Sequence, residues 1–170
     1  MIKDQIGYDL KILFIGVNPH PGSDRRGVPF SNNKMFWYLL HAAGLLSEPR
    51  ELLKDDKQLK NLYLHAFKKV YGFGLINIVD RPSRTASELK RAEATPGRKR
   101  LLAVIKKYKP KVVCFVGKIT YSLFINETNV AYGWQPDIDH SKIYVMHTPH
   151  RGLASLRIQD LKKVYKVACE

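Results

Sequence analysis

The chain holds two cysteines in 170 residues, Cys114 and Cys169, and neither belongs to a CxxC pair. That excludes a cysteine-built zinc or iron–sulfur centre. It also fits a reducing compartment, and the cytoplasm is the expected location. Acidic residues are scarce too: 15 Asp and Glu face 29 Lys and Arg, a formal charge of +14. Asp24, Asp80, Asp137 and Asp139 form no evident metal pair, which argues against a metal-dependent nucleotide hydrolase. No apolar stretch approaches the length of a membrane span, and Met1-Ile2-Lys3-Asp4-Gln5 has no apolar leader region. Glycine-rich phosphate loops are missing as well. Gly22 is not followed by the Gly-Lys-Ser/Thr of a Walker A loop, and GxGxxG does not occur. Six histidines are present, but His20, His41, His65 and His140 do not stand at zinc-ligand spacing from His147 and His150, so no metal and no cofactor are expected.

What is present describes one ordinary globular domain spanning residues 1–170. Apolar residues make up 45% and charged residues 26%, and this length buries a full core without staples. The excess positive charge points to a polyanionic partner, nucleic acid rather than a membrane surface. Nothing in the pattern calls for a second subunit, and a monomer is expected.

Lys11–Val17, Val112–Val116 and Lys142–Met146 are short continuous apolar runs that read as strands buried on both faces. Leu75–Val79 reads as a shorter extended segment. Helical patterns fill the intervals: Lys34–Leu46, Glu51–Val70 with an apolar stripe, a third opening at Pro96 or Gly97 and ending at Tyr108, one beginning at Ile119, and a last one capped by Ser155 and running to about Ala168. Asn18–Asn33 reads as loop, and Asn126–His140 as polar and turn-rich. Strands alternating with helices make the fold class α/β with a mostly parallel sheet. In such sheets ligands sit beyond the carboxyl ends of the strands.

Two loops lie there. The first runs from Asn18 through Pro19-His20-Pro21-Gly22 to Pro29-Phe30; Asn-Pro and Pro-Gly are also common turn formers. The second reads His147-Thr148-Pro149-His150-Arg151-Gly152-Leu153-Ala154. Leu153 is either an apolar staple on the helix start or a wedge for a base stack.

Gly16-Val17-Asn18-Pro19, then Gly27-Val28-Pro29-Phe30, then Phe36-Trp37, resemble the first motif of the mismatch-specific uracil/thymine DNA glycosylases. Asn77-Ile78-Val79-Asp80-Arg81-Pro82-Ser83 resembles their middle motif. Gly97-Arg98-Lys99 and Val116-Gly117-Lys118 fall where those proteins have similar residues. Thr148–Leu153 is similar to their second active-site motif, Asn-Pro-Ser-Gly-Leu, with Thr148 for asparagine, His150 for serine, Arg151 inserted and Ala154 for a serine.

The resemblance implies a three-layer α/β/α fold with a short central sheet, of the uracil-DNA glycosylase kind, and double-stranded DNA with a damaged or mismatched base as partner. It places a water-holding asparagine at Asn18 and further catalytic contacts at Thr148 and His150. Val17, Phe30 and Asn77 would bind the flipped base, and Arg151, Gly152, Leu153 and Ala154 the DNA. Asn77 keeps the alternative of a satisfied strand asparagine, and Arg151 that of a phosphate contact. Either His147 or His150 is a candidate hydrogen-bond donor to the leaving base. The activity implied is monofunctional excision of uracil or a related base, and the rival reading is a catalytically silent DNA-binding module on the same scaffold.

Overall fold

A computed structural model describes all 170 residues. Five strands form one sheet in the order β2-β1-β3-β5-β4. They are β1 (Ile12–Gly16), β2 (Phe73–Asn77), β3 (Val112–Val116), β4 (Gly133–Ile138) and β5 (Ser141–Met146). Every neighbouring pair is parallel except β4 with β5.

The parallel strands are buried on both faces, which is why their sequences are continuous apolar runs and not alternations. Residues of alternate parity serve separate cores. Ile12 and Phe14 join Val112 and Cys114 in one cluster, while Leu13 and Ile15 join Val113 and Phe115 in the other. The first core is closed by α2 (Met35–Ala42), α3 (Arg50–Lys54), α4 (Asp56–Asn61) and α7 (Ala154–Ala168). Phe14, Phe36, Trp37, Phe67 and Phe73 pack there largely edge to face, with Phe14 and Phe36 centroids 5.3 Å apart. The second core lies under α5 (Ala94–Tyr108) and α6 (Lys118–Ile125). The result is the expected three-layer α/β/α arrangement.

Several boundaries differ from the sequence reading, each for a local reason. The stretch 51–70 is not one helix. Asp55 adopts an extended conformation and its carboxylate accepts the Gln58 N–H at 2.9 Å, ending α3 and capping α4. A π-turn (Leu62–Ala66) follows, and Val70 is exposed. Within 18–33 there is a short helix, α1 (Pro21–Arg26), capped by the His20 ring, whose Nδ1 accepts the Gly22 N–H. The polar stretch 126–140 contains β4, an edge strand with alternating burial and an irregular register around Pro136, which has no N–H to give. β2 begins at Phe73 and ends at Asn77, so Ile78 and Val79 lie beyond it. α5 starts at Ala94, and Leu102 is partly exposed. α7 starts at Ala154 with Leu153 at its cap position, so Ser155 is inside the helix and caps nothing. On α7 Leu156 is exposed, while Arg157 and Asp160 are buried.

No helix is long and apolar enough to cross a membrane. The free edge of β2 is covered by Gln5, which exchanges two 2.9 Å backbone hydrogen bonds with Leu75, blunting an edge that would otherwise template pairing.

The α5 layer touches the segment after β2 at Gly97. A Cβ there would lie 1.7 Å from the Ile78 carbonyl oxygen, which is backbone and has nowhere to go. Gly97→Ala is therefore expected to destabilise the fold by about 3 kcal/mol, read as a lower midpoint in urea unfolding. Unfolding at the wild-type midpoint would contradict this packing.

Candidate active site

A cleft of about 500 Å³ opens at the carboxyl ends of β1, β2, β3 and β5. It gathers Val17, Asn18, Phe30, Asn77, Thr148, His150 and Arg151, which sequence reasoning drew from three separate segments. Gly152, Leu153 and Ala154 do not line it and follow directly after Arg151 in the chain.

The first loop leaves β1 alongside the segment leaving β2. The two segments stay hydrogen-bonded past both strand ends, since Ile78 and Val79 donate to the carbonyls of Gly16 and Val17 at 2.9 Å. This stiff approach delivers Asn18. Its Nδ2 donates to the Arg81 carbonyl at 2.8 Å and to Ser83 Oγ at 2.7 Å. Ser83 in turn gives its own proton to the Thr85 carbonyl at 2.7 Å, so its oxygen is left as an acceptor. The Ser83 N–H holds the Pro19 carbonyl at 3.1 Å. Both partners of Nδ2 are acceptors, which fixes the amide's orientation. Oδ1 has no protein donor and is free to accept a hydrogen bond.

The return arm of this loop is held by Ser23, whose Oγ accepts the N–H groups of Ser31 at 3.1 Å and Asn32 at 2.9 Å. Trp37 Nε1 donates to the Pro29 carbonyl at 2.8 Å. Phe30 follows with φ 54°, and its ring lies on Phe36 with centroids 4.4 Å apart. One side of Phe30 is thus backed by the core, while the residue itself lines the cleft.

Asn77 ends β2 opposite Gly16. Its backbone carbonyl accepts from Arg100, which also pairs with Asp80 at 2.8 Å. Its side-chain amide has no protein hydrogen-bond partner, though the residue is only 8% exposed. No protein group satisfies the Asn77 amide, which faces the cleft. A Cβ on Gly16 would sit 2.3 Å from Asn77 Oδ1, so glycine there gives the amide its room.

The second loop carries Thr148 and His150. Thr148 Oγ1 faces Gly117, where an added Cβ would stand 3.0 Å away. The buried part of the His150 ring, then the cations of Arg157 and Arg151, hold its pKa below the ordinary imidazole value, so it is neutral at pH 7. His147, the other candidate, is turned away from the cleft. Its Nδ1 lies 2.8 Å from Asp160 Oδ2 and its ring stacks on Tyr132 at 3.8 Å. Leu153 is 69% exposed, so it is not a staple. No group of three or more His, Cys, Asp or Glu side chains comes together to hold a metal ion.

A family model described as the uracil DNA glycosylase superfamily matches residues 4–166. The chain belongs to the uracil DNA glycosylase superfamily. Members of this superfamily are hydrolytic DNA glycosylases of DNA repair. The superfamily match covers both cleft loops and the segment that joins Asn18 to Ser83.

Sequence reasoning missed four residues that hold this site: Ser23, Ser83, Arg157 and Asp160. Ser83 was visible as the last residue of the middle motif. Arg157 and Asp160 left no signal beyond charge on a helix. Removing the Ser83 hydroxyl frees one side of the Asn18 amide. Ser83→Ala is expected to cost about 1 kcal/mol of stability and to slow single-turnover excision about tenfold. Excision at the wild-type rate would show that the hydroxyl does not orient Asn18.

Proposed function

We propose that this protein flips uracil, or a related base such as thymine or another deaminated base opposite G, out of duplex DNA and hydrolyses its N-glycosidic bond, leaving an abasic site. The observation that carries this reading is Asn18, with its amide nitrogen tied down on two acceptors and its Oδ1 unpartnered in the cleft.

An amide has no basic nitrogen and cannot take a proton from water at neutral pH. Asn18 therefore acts by holding water through Oδ1 near the sugar's anomeric carbon. The reaction proceeds by stretching the glycosidic bond first. The sugar gains oxocarbenium character, the base departs as an anion, and the placed water adds to the sugar. Backbone N–H groups of the first loop and the ring of neutral His150 are suited to stabilise the developing charge on the base. Phe30 offers its ring for stacking. The unpartnered Asn77 amide presents one donor and one acceptor, matching the O4 and N3–H of uracil.

No lysine is among the residues lining the cleft, which supports a monofunctional reading. Leu153 is exposed beside the loop that carries Thr148 and His150, which suits it to fill the space a flipped nucleotide vacates. Arg151 is suited to a phosphate or to the orphaned partner base.

The test is a duplex with U, T or hypoxanthine opposite G, incubated in EDTA and then cleaved with alkali. Abasic product from the U·G duplex is expected. Absence of product from all three would leave only a DNA-binding module. Asn18→Ala is expected to slow the chemical step about 10²–10³-fold while DNA affinity holds. A parallel loss of affinity would instead make Asn18 a binding residue. Because the pKa of His150 is lowered, the rate is expected to be flat from pH 7 to 8. It should change only as acid protonates His150, below the ordinary imidazole range, and His150→Ala should abolish that acid limb. An unchanged acid limb in the variant would remove His150 from the mechanism.

A further inference from the structure

Helix α7 buries two opposite charges on the face it turns to the sheet. Arg157 is 2% exposed and Asp160 is 5% exposed, and they stand three residues apart, on one side of the helix. Each reaches a backbone group of the second active-site loop, and the two groups belong to consecutive residues. Arg157 Nε donates to the Thr148 carbonyl. Asp160 Oδ2 accepts the His147 backbone N–H at 2.9 Å and the His147 imidazole N–H at 2.8 Å. The other carboxylate oxygen accepts the Tyr144 hydroxyl at 2.6 Å. Burial, and then Asp160, hold the Tyr144 pKa well above the usual range, so that hydroxyl remains a donor.

Arg157 has no carboxylate within ion-pair distance, and one of its terminal nitrogens is buried without an acceptor. The same nitrogen lies beneath Gly152, 3.4 Å from where a Cβ would stand. A guanidinium buried this way costs the fold more than an apolar chain of the same volume. Its position is accounted for by what it holds.

We propose that Arg157 and Asp160 are the positioning residues of the second active-site loop, together fixing the backbone at His147 and Thr148 so that Thr148 and His150 face the cleft. The inference rests on the glycosylase reading of that cleft. It makes α7 the chassis of the catalytic loop, with the two charges acting through the peptide and never touching DNA. His147, tied to Asp160 and stacked on Tyr132, belongs to this support and not to the chemistry.

The decisive variant is Arg157→Met, which keeps an apolar stem and removes the donor and the charge. Its thermal midpoint is expected to stay at or above wild type. Single-turnover excision of uracil is expected to fall at least about tenfold, with DNA affinity changed less than about threefold. Arg157→Lys, which keeps the charge and a donor, is expected to recover most of the rate. The His150 imidazole, titrated by NMR, is expected to move up in Arg157→Met and to stay low in Arg157→Lys. A folded Arg157→Met variant with wild-type excision and an unmoved His150 titration would overturn the proposal, as would a rate loss that merely tracks a lower midpoint. If Arg157→Met does not fold, Asp160→Asn carries the test. Its loss of a charged acceptor should shift the His147 backbone amide signal and slow excision, and no change in either would overturn the proposal. If the wild-type protein excises nothing, the glycosylase reading fails, and the His150 and His147 NMR signals still judge the clamp on their own.

Discussion

The orientation of a single amide governs this site. The nitrogen of Asn18 is committed to the Arg81 carbonyl and to Ser83 Oγ, so its oxygen is the only end left to offer. Those two acceptors belong to the turn after β2, not to the loop that carries Asn18. The site therefore depends on β1 and β2 leaving the sheet together. Their parallel register sets Gly16 against Asn77, and their hydrogen bonding extends through Ile78 and Val79. A shift of one residue would turn Asn77 out of the cleft and move Ser83 away from Asn18. The close contact of Gly97 with the Ile78 carbonyl locks the same segment from the α5 layer.

The opposite wall is organised differently. No strand pairing controls the loop after β5. Its fixed points are side chains of α7, one cationic and one anionic, both drawn out of water to meet backbone groups. Low-dielectric surroundings strengthen such charge-assisted bonds and make them hard to leave unmade. The cleft is thus built between a wall held by backbone register and a wall held by buried charge. The chemistry proposed for it needs both, because Asn18 Oδ1 lies on one side and Thr148 and His150 on the other.

Much of this was legible in the amino-acid order, for physical reasons that also explain what was not. β1, β3 and β5 are buried on both faces, so they appear as apolar runs. β4 is an edge strand facing solvent with Pro136 inside it, and its polar alternation resembles a loop. The break at Asp55 was hidden because the apolar stripe continues across it, while the cap that interrupts it is one carboxylate. Asn18, Phe30, Asn77, Thr148 and His150 were found through their resemblance to glycosylase motifs, and the cleft does bring them together. Arg157 and Asp160 were not found, since a charge on an amphipathic helix ordinarily marks the solvent face. Here two charges lie on the buried face and Leu156 on the exposed one.

An oxygen that only accepts hydrogen bonds can place a water but cannot deprotonate it. In the proposed reaction bond breaking runs ahead of water attack, and the sugar carries positive charge at the transition state. The most direct test is the secondary isotope effect of deuterium at the anomeric carbon, measured on single-turnover excision of uracil. A large normal effect is expected in the wild-type protein and in Asn18→Ala alike, because the variant loses a water holder and keeps the same order of events. An effect near unity in the wild-type protein would mean that water attacks as the base leaves, and would contradict the role assigned to Asn18.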